Sequence, residues 1–306
     1  MEHWFWFSLS DFSFSFLSVV LEGVPFILMG VVLSGLIDVF LPPRVLARIL
    51  PRNAAAGILM GGALGAVLPM CECGIVVVIR RLLQKGLPLS NAIAYMLAAP
   101  VVNPIVAVST YAAFRGQGPL EMMLCRIGLS FVVAVTMATI VFFLRRSTVL
   151  RKDLVASPVD TDDHHDHRSA GKKSAAAVRA ATKDFLDVTV FFVLGAAVAT
   201  LFNTSVNQQV IMPLAEDRML AVASMMALAS LLSLCSTSDA FVAATFTAFP
   251  SAAKLAFLVF GPVVDLKLIF IYGLVFRKRF IVFLVLGLFL LVFGLCAFLP
   301  IPNFRG

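Results

Sequence analysis

The sequence predicts an all-α polytopic membrane protein. It reads as an inverted-topology repeat, each half with three spans plus one re-entrant helical hairpin, counted as eight membrane elements. Three observations carry this expectation: the composition, the pattern of apolar runs, and an internal match between the halves. Hydrophobic types make up 60% of the 306 residues and charged types 13%, against about 25% charged in a soluble domain. Mean hydropathy is +0.99. A soluble enzyme, a disordered chain and a nucleic-acid-binding domain are excluded on that basis. The net charge of +7 marks topology instead, because basic residues collect on cytoplasmic loops.

Uninterrupted apolar stretches cover about 12–41, 89–114, 121–144, 185–202, 252–276 and 280–300, each near the ~20 residues a spanning helix needs. Two further segments are interrupted. Residues 55–70 are apolar and Gly-rich, break at Cys71-Glu72-Cys73-Gly74, and resume for a short run. Residues 219–234 break at Cys235-Ser236-Thr237-Ser238-Asp239 and resume to Phe249. Each reads as two short arms around a polar tip, with Gly74 permitting the first turn.

Basic residues orient the path. Arg44, Arg48 and Arg52 follow the first span, and Arg80, Arg81 and Lys85 follow the first interrupted pair. The linker follows the third full span, and Arg277, Lys278 and Arg279 precede the last. With all four sites in the cytoplasm, the pair 55–83 starts and ends inside, whereas 219–249 starts and ends outside. Residues 73–103 also align without gaps on 235–265. Cys73 falls on Cys235, Pro88 on Pro250, and Ala99-Pro100-Val101-Val102-Asn103 on Gly261-Pro262-Val263-Val264-Asp265. Glu22 and Gly30 fall on Asp187 and Gly195 in the first spans. The divisions are a first repeat (1–146), a basic cytoplasmic linker (147–183) and a second repeat (184–306). Within the linker, His164, His165 and His167 stand among aspartates and are weak metal candidates. No cleavable signal peptide is expected, because the first apolar run is too long and has no basic n-region. Nor do the five cysteines imply a disulfide framework, being odd in number and mostly beside apolar runs.

Irregular backbone at membrane depth is tolerated only where it lines a cavity or is buried in protein, and polar residues there are functional candidates. The expected substrate-binding set is therefore Cys71, Glu72, Cys73, Gly74, Asn103, Cys235, Ser236, Thr237, Ser238 and Asp239. Pro100, Pro104 and Pro262 mark helix breaks, since proline removes a helical hydrogen bond. Asp265, Glu22 and Asp239 are candidate proton carriers. Asn103 and Asp265 can equally serve as caps of the kinks. Lys267, two residues beyond Asp265, would face elsewhere in a regular helix. It can be the counter-charge of Asp265 only if the helix is broken there. Soft thiols select thiophilic cargo over hard cations.

Several of these motifs resemble a bacterial permease family that includes ArsP and YraQ. They are Pro69-Met70-Cys71-Glu72-Cys73-Gly74-Ile75-Val76, Arg80-Arg81-Leu82-Leu83, Lys85-Gly86-Leu87-Pro88 and Leu97-Ala98-Ala99-Pro100-Val101-Val102-Asn103-Pro104. The second half adds Leu234-Cys235-Ser236-Thr237-Ser238-Asp239-Ala240-Phe241 and Phe260-Gly261-Pro262-Val263-Val264-Asp265-Leu266-Lys267. The resemblance spans nearly everything but the linker. One departure is Val77, where many relatives are expected to carry proline.

The resemblance implies a multi-pass inner-membrane permease whose best-characterised branch exports trivalent organoarsenicals. Other cargo in the family would be a thiol compound such as glutathione, or a divalent metal. The expected partners are a small-molecule substrate and the lipid bilayer, with no nucleic acid and no cofactor; a homo-oligomer is compatible with this reading. The chain has no Gly-x-x-x-x-Gly-Lys-Ser/Thr motif for ATP, so it is read as a secondary transporter and not an enzyme. A transmembrane thiol–disulfide electron carrier, using Cys73 and Cys235, is the alternative from another class.

Overall fold

The computed structural model describes residues 9–40, 51, 53–68, 70–144, 146–151, 170–205 and 217–298. Arg44, Arg48, Arg52, His164, His165 and His167 lie outside them. The described elements are helical: α1 (Leu9–Phe40), α2 (Ala54–Val67), α3 (Glu72–Gln84), α4 (Leu89–Ala98), α5 (Pro104–Ala113) and α6 (Pro119–Phe142). A single turn at Arg146–Val149 is followed by α7 (Ala170–Ser205), α8 (Arg218–Leu232), α9 (Asp239–Thr245), α10 (Ser251–Phe260), α11 (Leu266–Tyr272) and α12 (Lys278–Phe298). Among the described residues, Leu9–Ile37, Pro119–Phe142 and Lys278–Phe298 are long and apolar enough to cross a bilayer.

Three sequence expectations change. The run 185–202 belongs to a helix that already starts at Ala170, so the last part of the linker is helical. The runs 89–114 and 252–276 are each two helices, parted at 99–103 and 261–265. Hydropathy alone reads through these interruptions because their residues are mostly apolar. The proline within each break and the polar residue that caps the next helix create the interruption. Finally, Gly74 does not make a turn: it is the third residue of α3. Its missing side chain serves a close approach, since a Cβ there would stand 2.9 Å from the Phe26 carbonyl of α1.

The centre of the molecule is α4 and α10. Every residue of α4 is buried, and so is every residue of α10 after Ser251. Helices apolar all round are those surrounded by protein. Helix α4 packs against α2 and α6, and α10 against α8, α12 and α6. In α2 the contact is made by small residues four apart. A Cβ on Gly61 would lie 2.7 Å from the Asn91 carbonyl, and one on Gly65 would lie 2.8 Å from Ala99 Cα. Such stripes let helix backbones meet where lipid supplies no hydrophobic drive. Outside this centre, α1 packs on α3 and α7, and α7 on α11.

Long-range bonds tie the two sequence halves at both ends. At one end, Gln117 donates to the Ala244 carbonyl at 3.3 Å and accepts from Lys254 Nζ at 2.9 Å. At the other, Arg277 donates through its amide to the Val149 carbonyl and through Nε to that of Leu150, at 2.9 and 2.8 Å. Arg80 stands 3.8 Å from Asp187.

Gly61→Ala and Gly65→Ala are expected to lower the unfolding temperature of the purified protein. Overpacking costs about 1–3 kcal/mol, which exceeds the ~1 kcal/mol of helix propensity that alanine brings. Gly294, where nothing lies within 4 Å of a built Cβ, is the reference: Gly294→Ala should hold or raise that temperature in the same thermal-unfolding assay.

Candidate functional site

The first break is built by capping. Cys71 adopts an extended backbone and its Sγ accepts from the Gly74 amide at 3.4 Å, so it acts as the N-cap of α3. Glu72 follows as the first helical residue, where a carboxylate suits the positive end of the helix dipole. It is 2% exposed. The carbonyl of Leu68, before the break, accepts from the Tyr95 hydroxyl of α4 at 3.2 Å.

The second break begins at Ser233, which ends α8 in the left-handed conformation at φ 48°. Serine there costs more than the glycine usual at such caps. The outcome is a carbonyl turned toward Lys267, whose Nζ donates to it at 2.8 Å. A turn follows over Cys235–Ser238, with the Ser238 and Asp239 amides both donating to the Cys235 carbonyl. Asp239 then opens α9.

Asn103 and Asp265 do cap the helices after the prolines. Asn103 Oδ1 accepts from the Ile105 amide at 2.9 Å, and Asp265 Oδ1 from the Leu268 amide at 2.6 Å. Because Asp265 is extended and not helical, the sequence objection to pairing it with Lys267 disappears. Their charged atoms lie 3.4 Å apart. Lys267 Nζ is also 3.2 Å from Glu72 Oε1. One ammonium therefore joins α3, the end of α8 and the start of α11.

A second cation was not legible as a site residue. Arg126 of α6 is fully buried. Its Nη2 donates to Asp239 Oδ2 at 2.7 Å and to the Ser236 carbonyl at 3.0 Å, and its Nη1 to Thr110 Oγ1 of α5 at 2.8 Å. A lone arginine inside the apolar run 121–144 was the available signal, since intramembrane charges face the protein interior. The two cation centres meet through Ser236, whose hydroxyl reaches Glu72 Oε2 at 3.5 Å. A continuous polar network thus runs Thr110–Arg126–Ser236–Glu72–Lys267–Asp265 through the apolar interior, with Asp239 attached at Arg126.

Against this network lies a cavity of about 40 Å³. Cys71, Cys73 and Cys235 line it together, with Glu72, Lys267, Glu22 of α1 and Phe192 of α7. Thr237 Oγ1 donates to Cys235 Sγ at 3.6 Å. The structure thus unites most predicted residues. Gly74 and Ser238 act in the backbone around the site, whereas Asn103 and Pro104 start α5 and Pro100 and Pro262 stand in the helix breaks. Glu22 is largely exposed but forms part of the cavity wall. Cys125 and Cys296 lie elsewhere, in α6 and α12. All five cysteines are free. Among the described residues, no three His, Cys, Asp or Glu side chains gather as a metal site.

Two broken helix pairs with buried charges at their tips are how membrane proteins place polar chemistry at depth. The family model described as a predicted permease, ArsP_1, matches residues 8–299. The chain belongs to this permease family. UPF0718 protein YcgR of Bacillus subtilis (strain 168) is 36% identical over 274 residues, covering 88% of this chain and 90% of that protein. A Streptococcus mutans serotype c (strain ATCC 700610 / UA159) protein named "Putative two-component membrane permease complex subunit" is 32% identical over 267 residues, 87% of each chain. No solved structure matches. Family and apolar helices together make this a multi-pass integral membrane permease.

Breaking a buried ion pair from one side costs about 3–5 kcal/mol, because the remaining charge is stranded. Arg126→Met is therefore expected to lower the permease's unfolding temperature sharply. The double variant Arg126→Met/Asp239→Leu should recover much of the loss. Differential scanning fluorimetry of the single and double variants, compared as a cycle, checks the coupling.

Proposed function

We propose that this permease is a secondary transporter that exports a thiophilic small molecule, such as a trivalent organoarsenical, by alternating access. The observation that supports it best is the cavity shared by Cys71, Cys73 and Cys235 between the two polar breaks. In this reading the halves form an inverted repeat of three spans and one re-entrant hairpin each. The hairpins 54–84 and 218–245 would enter from opposite sides of the membrane, with the linker in the cytoplasm.

Thiols suit such cargo chemically. When an As–OH group meets a Cys–SH, an As–S bond forms, the As–O bond breaks, and the thiol proton leaves with the hydroxyl as water. No net charge enters the membrane. Three such bonds would hold the metalloid too firmly for release, so one or two transient contacts fit transport. The cavity holds roughly two or three waters. Cargo therefore enters only when the two breaks part, which is what alternating access requires.

The charge balance supports proton coupling. Among the described residues, Glu72, Asp239 and Asp265 form ion pairs with only Lys267 and Arg126, so one carboxylate lacks a matching cation. Asp239 is clamped by both its oxygens to Arg126, and Glu72 has a partner at each oxygen, Lys267 and Ser236. Asp265 uses Oδ1 to cap α11, while its buried Oδ2 has no hydrogen-bond partner among the described residues and faces Lys267 at 3.4 Å. We assign the proton to Asp265. Protonating it would leave Lys267 paired with Glu72 alone.

Arsenic-sensitive bacterial cells expressing the wild type are expected to accumulate less methylarsenite than empty-vector cells. Cys73→Ser and Cys235→Ser should lose that difference at equal membrane expression, while Cys125→Ser and Cys296→Ser keep it. Accumulation equal to empty vector with the wild type would sink the arsenical reading and make glutathione the next cargo to test. In everted vesicles, Asp265→Asn, which keeps the capping oxygen, should abolish the dependence of uptake on the proton gradient. Unchanged dependence would move the coupling proton to another carboxylate.

A further inference from the structure

A second concavity lies away from the thiol cavity. It is a groove of about 870 Å³ lined by α7, α11 and α12. Phe191, Phe270 and Ile281 give it an apolar trough, and Arg151, Arg277 and Lys278 stand together on its wall. Two of these cations are held in place by backbone. Arg151 Nη1 donates to the Gly273 carbonyl at 3.0 Å, and Arg277 Nε to that of Leu150 at 2.8 Å. Each guanidinium has five N–H donors, so most remain for a ligand. Among the described residues no carboxylate forms an ion pair with Arg151, Arg277 or Lys278. Helix α12 starts at Lys278, which adds the positive end of its dipole.

The combination asks for a ligand of two parts. Three cations at one place fit a phosphate. A trough of this size, lined by aromatic and aliphatic side chains at the edge of a membrane protein, fits hydrocarbon. A free phosphate would leave the apolar trough unused, whereas a neutral lipid would leave the cations unmatched. Basic pockets between transmembrane helices characteristically take anionic headgroups.

We propose that this groove binds an anionic phospholipid from the leaflet at the Arg277 end of the permease. Its phosphate lies against Arg151, Arg277 and Lys278, and an acyl chain lies along Phe270 and Ile281. This assignment is independent of the cargo and of the thiol cavity.

Native mass spectrometry of the full chain, released from detergent after incubation with phosphatidylglycerol or phosphatidylcholine of identical acyl chains, tests it. Phosphatidylglycerol should be retained in preference. Lys278→Glu should lower its occupancy roughly fivefold or more. Lys278 is exposed, so an unchanged unfolding temperature separates lost binding from lost folding. Arg151→Gln/Arg277→Gln should remove the preference. Equal retention of both lipids, or no effect of Lys278→Glu, overturns the proposal. Displacement of phosphatidylglycerol by millimolar inorganic phosphate would instead make this a soluble-anion site. Retention that arises only after deletion of residues 152–169 would make the chain's own linker the occupant. Either result also overturns it.

Discussion

The ammonium of Lys267 is the point on which the arrangement depends. An isolated charge at this depth would be unaffordable in an apolar medium. Here three oxygens from three segments surround it: the Ser233 carbonyl, Glu72 and Asp265. Each oxygen in turn belongs to a helix end that needs a partner. Satisfying one cation therefore fixes the end of α8, the start of α3 and the start of α11 relative to one another. Close backbone approach supports the same placement. A Cβ on Gly195 of α7 would fall 2.7 Å from Lys267 Cα, so α7 can seat against the lysine's own backbone.

Arg126 plays the corresponding part for the other side of the second break. It ties α5 and α6 to Asp239 and Ser236. The two centres differ in how they can respond. Arg126 grips Asp239 with paired, charge-assisted hydrogen bonds, which are short and directional. Lys267 faces Asp265 Oδ2 at 3.4 Å, and that buried oxygen has no hydrogen-bond partner among the described residues. A network with one firm end and one loose end can move at the loose end without dissolving. The cysteines stand beside that loose end, which links cargo, charge and movement physically.

Buried networks of this kind contribute little net stability, since desolvation offsets most of the attraction. What stabilises the permease is elsewhere: the enclosed apolar helices α4 and α10, and glycine stripes such as Gly57, Gly61 and Gly65 that bring α2 onto α4. The fold thus separates its tasks. Tight packing of small and aliphatic residues sets the frame, and a few charges at helix ends set the site.

The sequence by itself determined the class, because composition and run length leave a chain of this hydropathy no other solvent than lipid. It also marked breaks beside Cys71, at Cys235–Ser238 and at Pro100 and Pro262, although the apolar runs 89–114 and 252–276 read through the last two and Glu72, Cys73 and Gly74 continue as helix. Asp265 and Lys267 show the limit of that reading. Their separation of two residues means opposite faces in a helix and neighbours at a cap, and only the folded backbone decides between them. Arg126 shows another. Its charge is visible in the run 121–144, but its partners Thr110, Ser236 and Asp239 are distant in sequence, and no local pattern encodes a contact made across helices. The meeting of Cys71 and Cys73 with Cys235 around one cavity is of the same kind. Local chemistry chose the residues, and the packing of α1, α3, α7 and α11 brought them to one place.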